Sequence, residues 1–148
     1  MKLNIRKASL KDSNLVYLLN NENLSRKNSL NSKKIKKKEH KIWFKKKINS
    51  KKNIFFIIES KKLENIGIVR YELENIFGYV SVNVSKNFRN LGYGTKILKE
   101  TEKLLKKKII LIAYIKKKNV SSKKIFLKNK YKILRKSNPL IFLKLLKI

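Results

Sequence analysis

Gly92 and Gly94 stand two residues apart in a chain that holds only four glycines. The stretch Arg89-Asn90-Leu91-Gly92-Tyr93-Gly94-Thr95 follows an alternating apolar segment and precedes an amphipathic one. Glycine lacks a Cβ, so the backbone there can take positive φ and come close to a ligand. The first amides of a helix have no acceptor within the helix, and with the helix dipole they make a seat for an anion. A pyrophosphate matches such a seat. The spacing is neither the Walker G-x-x-x-x-G-K-[ST] nor the dinucleotide G-x-G-x-x-G. The plain alternative is a tight strand-to-helix turn with no ligand.

The elements around the loop follow from hydrophobic period. Leu3–Arg6 alternates as a strand, and Ser9-x-x-Asp12 resembles a capping box ahead of a helical stripe at Leu15, Val16, Leu18 and Leu19. Asn20–Lys34 is polar and reads as a loop. Glu39–Ile48 fits a second helix. Ile54–Ile58, Ile66–Glu72 and Phe77–Val84 read as three strands, the last with Val on one face and Tyr79, Ser81 and Asn83 on the other. After the glycine loop, Ile97, Leu98, Thr101, Leu104 and Leu105 take helical spacing. Ile109–Ile115 reads as a buried strand and Asn119–Asn129 as a helix. Tyr131–Arg135 and Leu140–Leu146 read as closing strands with a turn at Asn138-Pro139. The order is β-α-α-β-β-β-α-β-α-β-β, a mixed α/β layout over one domain, residues 1–148.

The chain carries 40 Lys and Arg against 9 Asp and Glu, a formal charge of +31. Only Arg6, Arg26, Arg70, Arg89 and Arg135 among the basic residues are arginine. Lys, Ile and Asn, encoded by A/T-rich codons, dominate while Gly, Pro, Ala and Arg are scarce. Much of the charge therefore reads as genome composition, tolerated because surface lysine substitutions cost little stability. With no cysteine, disulfide and thiolate chemistry are excluded. One histidine and few carboxylates argue against a metal site. The longest apolar run falls far short of the ~20 residues that span a bilayer. The N-terminus shows no signal-peptide pattern, so the expectation is a cytoplasmic protein with no membrane partner.

The order R-x-x-G-x-G-T between strand and helix resembles the acyl-CoA loop of the GNAT (GCN5-related N-acetyltransferase) superfamily. The element order also matches, and Asn119-Val120-Ser121-Ser122 stands where that family tends to carry Asn-x-x-Ser/Ala. The resemblance implies a GNAT fold, a mostly antiparallel twisted sheet flanked by helices, and acetyl-CoA as co-substrate without a metal. It implies that Val82, Asn83 and Val84 offer backbone groups to the pantetheine and acetyl carbonyl. It implies that Arg89, Asn90, Leu91, Gly92, Tyr93, Gly94 and Thr95 hold the pyrophosphate, with Asn119 and Ser122 at the pantetheine. Two positions depart from the family. Phe126 replaces a tyrosine that often serves as general acid, and Tyr114 replaces a glutamate that serves some members as base.

The segments Asn20–Ser29 and Ile35–Phe44 resemble a pattern in GNAT enzymes of nonulosonic (pseudaminic-type) sugar pathways, which acetylate the 4-amino group of a nucleotide-linked amino sugar. That resemblance implies substrate contacts at Arg26, Asn28, His40 and Trp43. His40, Tyr79 and Ser81 are the catalytic candidates, with a helix histidine bonded to a loop carbonyl as the plainer reading of His40. Two other functions are weighed. A protein N-terminal acetyltransferase of the ribosomal-protein type would need acidic peptide contacts, of which the sequence shows no patch. A lysine-rich nucleic-acid-binding protein would show steep salt dependence, but arginine forks and an aromatic platform are missing. A homodimer is left open.

Overall fold

The computed structural model describes residues 2–147. Its strands are β1 (Asn4–Lys7), β2 (Asn53–Glu59), β3 (Asn65–Glu74), β4 (Phe77–Val84), β5 (Ile109–Ile115), β6 (Lys132–Arg135) and β7 (Leu140–Leu146). Its helices are α1 (Ser13–Asn20), α2 (Asn23–Asn28), α3 (Lys37–Asn49), α4 (Tyr93–Lys103) and α5 (Val120–Lys128). The strands form one sheet in the order β1-β2-β3-β4-β5-β7-β6. All neighbours are antiparallel except β4 and β5, which run parallel. Among the described residues no helix is long and apolar enough to cross a membrane.

The two faces of the sheet are covered unequally, and the sequence shows why. In β2 the unbroken run Ile54-Phe55-Phe56-Ile57-Ile58 feeds both faces. Phe56 and Ile58 pack with Val69, Tyr71, Ile97, Leu98 and Phe126 under α4 and α5. Phe55 and Ile57 pack with Val16, Leu19, Phe44 and Ile68 under α1 and α3. A strand buried on both sides needs no polar alternation. In β5 only Ile109, Leu111, Ala113 and Ile115 are buried. Ile110, Ile112 and the exposed Tyr114 alternate with them onto the side away from the main core. The strand read as buried is thus buried on one face, an apolar alternation that the isoleucines conceal.

Two further differences concern the ends of elements. Asn23–Asn28, read as loop, forms the short helix α2. Its sequence NLSRKN has no apolar stripe, so the helix rests on contacts with other segments rather than on its own period. Conversely, the capping signal at Ser9 is present: the Ser9 amide donates to the Asp12 carboxylate at 2.8 Å. Arg6 grips the same carboxylate through both terminal nitrogens, at 2.9 and 2.7 Å, and holds it below the usual carboxylate range.

A buried polar cluster locks α4 to the far side of the sheet. The Tyr131 hydroxyl donates to Glu102 Oε1 at 2.7 Å, and Lys144 of β7 pairs with the other carboxylate oxygen. Tyr71 and Thr101 share a hydroxyl hydrogen bond of 2.8 Å. Burial and the Glu102 charge push the Tyr131 hydroxyl well above its ordinary range, so it stays a proton donor to Glu102. These contacts hold the C-terminal end of α4 against the sheet.

Candidate functional site

The site begins where β4 and β5 part. They pair only at Phe77, Gly78 and Tyr79, which stand against Ile110, Leu111 and Ile112. β5 continues fully paired to β7 on its other side, and β4 to β3. The Ile110 amide donates to Ile76 O at 2.8 Å. By the period of two, the backbone groups of residues 78, 80, 82 and 84 therefore turn toward β5, and those beyond Tyr79 face the opening. Val80 and Val82 thus present backbone donors and acceptors to a wedge-shaped gap.

The expected backbone trio divides. Val82 faces the gap. Val84 does too, but its carbonyl accepts from Arg89 Nε at 2.9 Å. Asn83 turns its backbone into the β3 ladder, and its side chain ties β4 to the N-terminal helices. Its Nδ2 donates to Asn20 Oδ1 at 3.2 Å, and its Oδ1 accepts from Ser25 Oγ at 3.1 Å.

The glycine loop lies at the open end of this gap, and its residues do different things. Gly92 takes φ +83°, and a Cβ there would meet nothing within 4 Å. It is the N-cap of α4 and has no side chain to satisfy the helix amides. Among the described residues none accepts a hydrogen bond from the amides of Gly92, Tyr93, Gly94 or Thr95. Asn90 also takes a positive φ, of 60°. Gly94 differs: a Cβ there would collide with Ile125 Cδ1, sit 3.0 Å from Ile125 Cγ1 and 3.4 Å from Val84 Cγ2. Its hydrogen lets α4 approach α5 and β4. Of the two glycines read as ligand-facing, Gly92 opens the loop and Gly94 closes the packing behind it.

Arg89 does not aim at the seat. Its guanidinium pairs with Glu22 and lies 3.3 Å from Ser25 Oγ. It anchors the α1–α2 connection to the end of β4. Asn119 is buried as the N-cap of α5, its Oδ1 accepting from the Ser122 amide at 3.2 Å. That geometry uses the oxygen and leaves Nδ2 as a donor. Ser122, half-buried, sits in the same first turn. Phe126 is in the core against Tyr131 and Phe142.

The substrate residues read in the N-terminal third are mostly occupied. His40 is 2% exposed, its Nε2 lies 2.8 Å from Ser13 O, and its ring stacks on Phe44 at 5.5 Å. Burial lowers its pKa, and its carbonyl partner fits the plainer of its two readings, a helix histidine bonded to a carbonyl. Arg26 spends its fork inside its own loop, on Asn20 O at 2.6 Å, Asn31 O at 3.0 Å, Lys33 O at 3.1 Å and Ser29 Oγ at 3.0 Å. Trp43 packs edge-on to Phe55 and lies under the Arg70 guanidinium. Asn28 ends α2. Arg26 and Trp43 are therefore scaffold contacts here, not residues gathered at the gap.

Tyr79 and Ser81 lie on the strand face opposite the main core, where β4 leaves β5. Sequence reasoning missed two neighbours. The Tyr79 ring stacks on Tyr114 at 6.2 Å and 8°, so the residue noted as a missing base supplies an aromatic wall. Arg70, in register with Ser81 on β3, faces the same side. The signal for Arg70 was present in Ile68-Val69-Arg70-Tyr71-Glu72: polar residues alternating into one face of an otherwise buried strand.

Compared by sequence, the chain matches no protein-family model and no curated protein. Compared by structure, it is similar to spermidine N-acetyltransferase of Vibrio cholerae, in complex with CoA and spermine. The TM-score is 0.83 at 12% identity, over 97% of this chain and 95% of that one. It is also similar to a GNAT-family acetyltransferase of Streptococcus pneumoniae, with a TM-score of 0.73 at 20% identity over 99% and 100% of the two chains. A phosphinothricin acetyltransferase of Sinorhizobium meliloti, in complex with AcCoA, gives 0.79 at 15% over 99% and 89%. The architecture is the GNAT fold.

Proposed function

We propose that the protein is an acetyl-CoA-dependent N-acetyltransferase whose acceptor is the primary amine of a nucleotide-linked amino sugar. One observation carries the first half of this reading: the parted strands β4 and β5 and the uncapped amides of Gly92–Thr95 open at the same end of the sheet. The likeness to acetyltransferases that hold CoA or AcCoA supports the same ligand. The residues present fit it. The amides of Gly92, Tyr93, Gly94 and Thr95 would hold the pyrophosphate, Val82 would pair with the pantetheine in the manner of a strand, and Asn119 Nδ2 would donate to it. When bound, acetyl-CoA supplies a thioester whose acetyl group is transferred to an amine.

The chain's own contribution is placement and polarity. Backbone N–H groups along the gap polarise a carbonyl without needing to reorganise. Holding two reactants in line supplies up to roughly 7–11 kcal/mol of the barrier. Ser81 and the Tyr79–Tyr114 pair line the face from which an amine would enter, and Ser81 is a hydroxyl able to pass a proton to water. Phe126 is buried and cannot donate a proton, so no tyrosine on α5 fills the usual acid's place. A sugar amine, more acidic than a lysine amine at ~10.4, needs little help to be neutral.

The nucleotide-sugar half rests on the sequence pattern of Asn20–Phe44. In this structure that pattern builds the loop bracing and the α3 core, so it supports a shared scaffold. Calorimetric titration with acetyl-CoA and release of free CoA thiol in the presence of UDP-linked amino sugars test the reading. Saturable binding and amine-dependent thiol release support it. Absence of acetyl-CoA binding by folded protein overturns it.

A further inference from the structure

Arg70 is a cation without a full set of partners. Its Nε is buried and has no hydrogen-bond partner, and the nearest carboxylate oxygen, Glu72 Oε1, lies 3.3 Å away outside hydrogen-bond alignment. None of the hydrogen bonds among the described residues uses the Arg70 guanidinium. Glu72 Oε1 is shared between this ion pair with Arg70 and a closer one with Lys47 at 2.7 Å. Arg70, Lys47 and Glu72 together leave one excess positive charge. Glu74 lies further along at the exposed end of β3. Burial opposes the charge on Arg70, and an arginine remains protonated regardless.

Its position is defined on every side. The guanidinium carbon lies 5.0 Å over the Trp43 ring. Its side chain is 25% exposed, so the fork's outer edge reaches solvent. Across the ladder it is level with Ser81, about 5 Å away by strand spacing, and Ser81 lies in the part of β4 that has left β5. Tyr79, two residues before Ser81 on the same face of β4, is in register with Glu72, and its ring stacks on Tyr114 of β5. An arginine seated over an aromatic ring, with its terminal nitrogens in no hydrogen bond, is a receptor for a planar or tetrahedral anion.

We propose that Arg70 binds an anionic group, a phosphate or a carboxylate, carried by the same acceptor molecule that presents its amine beside Ser81. The inference rests on the acetyltransferase reading for what happens to the amine, but not for the binding itself. It makes the enzyme selective for acidic amines and against polyamines, whose positive charge Arg70 repels.

Three amines on one carbon skeleton test it: glucosamine 6-phosphate, 2-amino-2-deoxygluconate and glucosamine. Trp43 is the only tryptophan, so its fluorescence reports the Arg70 site directly and needs no turnover. The expected result is saturable quenching by the phosphorylated or the carboxylated amine at concentrations at least ten-fold below any response to glucosamine. Which of the two leads names the anion. In Arg70→Gln the response is lost and kcat/KM for the anionic amine falls at least ten-fold through KM, while acetyl-CoA affinity is unchanged. Arg70→Lys restores part of it. Equal response to all three amines by the wild-type protein overturns the inference, and so does a preference that survives in Arg70→Gln. Should Arg70→Gln fail to fold, the wild-type titration alone decides. Anion-dependent quenching without acetyl-CoA binding would sink the acetyltransferase reading and leave the Arg70 site standing.

Discussion

The loop before α4 and the α1–α3 region are both rich in residues that read as chemistry, and they turn out opposite in kind. In the loop the working groups are backbone amides with no partner, exposed by a glycine with positive φ. In the N-terminal region the side chains read as chemistry are engaged: Arg26 with four oxygens of its own loop and His40 Nε2 with Ser13 O. Residue type flags a side chain that can do chemistry. Whether it is free to do so depends on what surrounds it, and that is written in the fold.

Gly94→Val is expected to give the largest effect, because its methyls would drive into Ile125 and Val84. Overpacking of this kind costs about 3 kcal/mol, read as a lowered denaturation midpoint. Ile125→Ala in the same chain should regain part of the loss. No rescue would mean that Gly94 serves the loop instead of the packing. Gly92→Val should behave differently. The strained φ costs about 1–2 kcal/mol, and acetyl-CoA affinity should drop ten-fold or more by calorimetry, with no rescue from Ile125→Ala.

Arg26→Lys loses the planar fork and should lower stability by about 1 kcal/mol, leaving KM for the amine within two-fold. A large rise in KM would return Arg26 to the substrate site and blur the contrast. The smallest effect is a pH slope. Burial depresses the pKa of His40 in the folded chain. Below pH ~6.5 the unfolded chain therefore takes up the proton more readily, and stability falls as the pH falls. Thermal midpoints of His40→Phe should lose that part of the slope while acetyl transfer persists. A catalytic His40 would instead show a 10²-fold or greater fall in kcat.

The strand and helix order was legible because period is a local property. Val80, Val82 and Val84 alternate with Tyr79, Ser81 and Asn83 in the sequence as they do in the sheet. The loop was legible because glycine is so scarce in this chain that two in three residues stand out. α2 was not legible, since NLSRKN has no apolar face and depends on the Ser25 bond to Asn83, 58 residues away. The separate duties of Gly92 and Gly94 were hidden for the same reason: what Gly94 avoids is Ile125, on another helix. Arg70 was overlooked among forty basic residues. Its distinction is an unfilled donor set, which composition cannot report.

The three-pair junction of β4 and β5 has a mechanical consequence. It is a spine joining two leaves of the sheet, and beyond Tyr79 nothing in the ladder holds those leaves at a fixed angle. An extended ligand lodged between them would act as an eighth strand and weld the leaves together. Apparent stability would then rise with ligand concentration, by about 2.7 kcal/mol at a hundred times the dissociation constant. Behind the spine, Gly94 lets α4 seat against Ile125 of α5 and Val84 of β4. The residue whose amide faces the opening is thus also the one whose missing Cβ lets α4 sit close behind it.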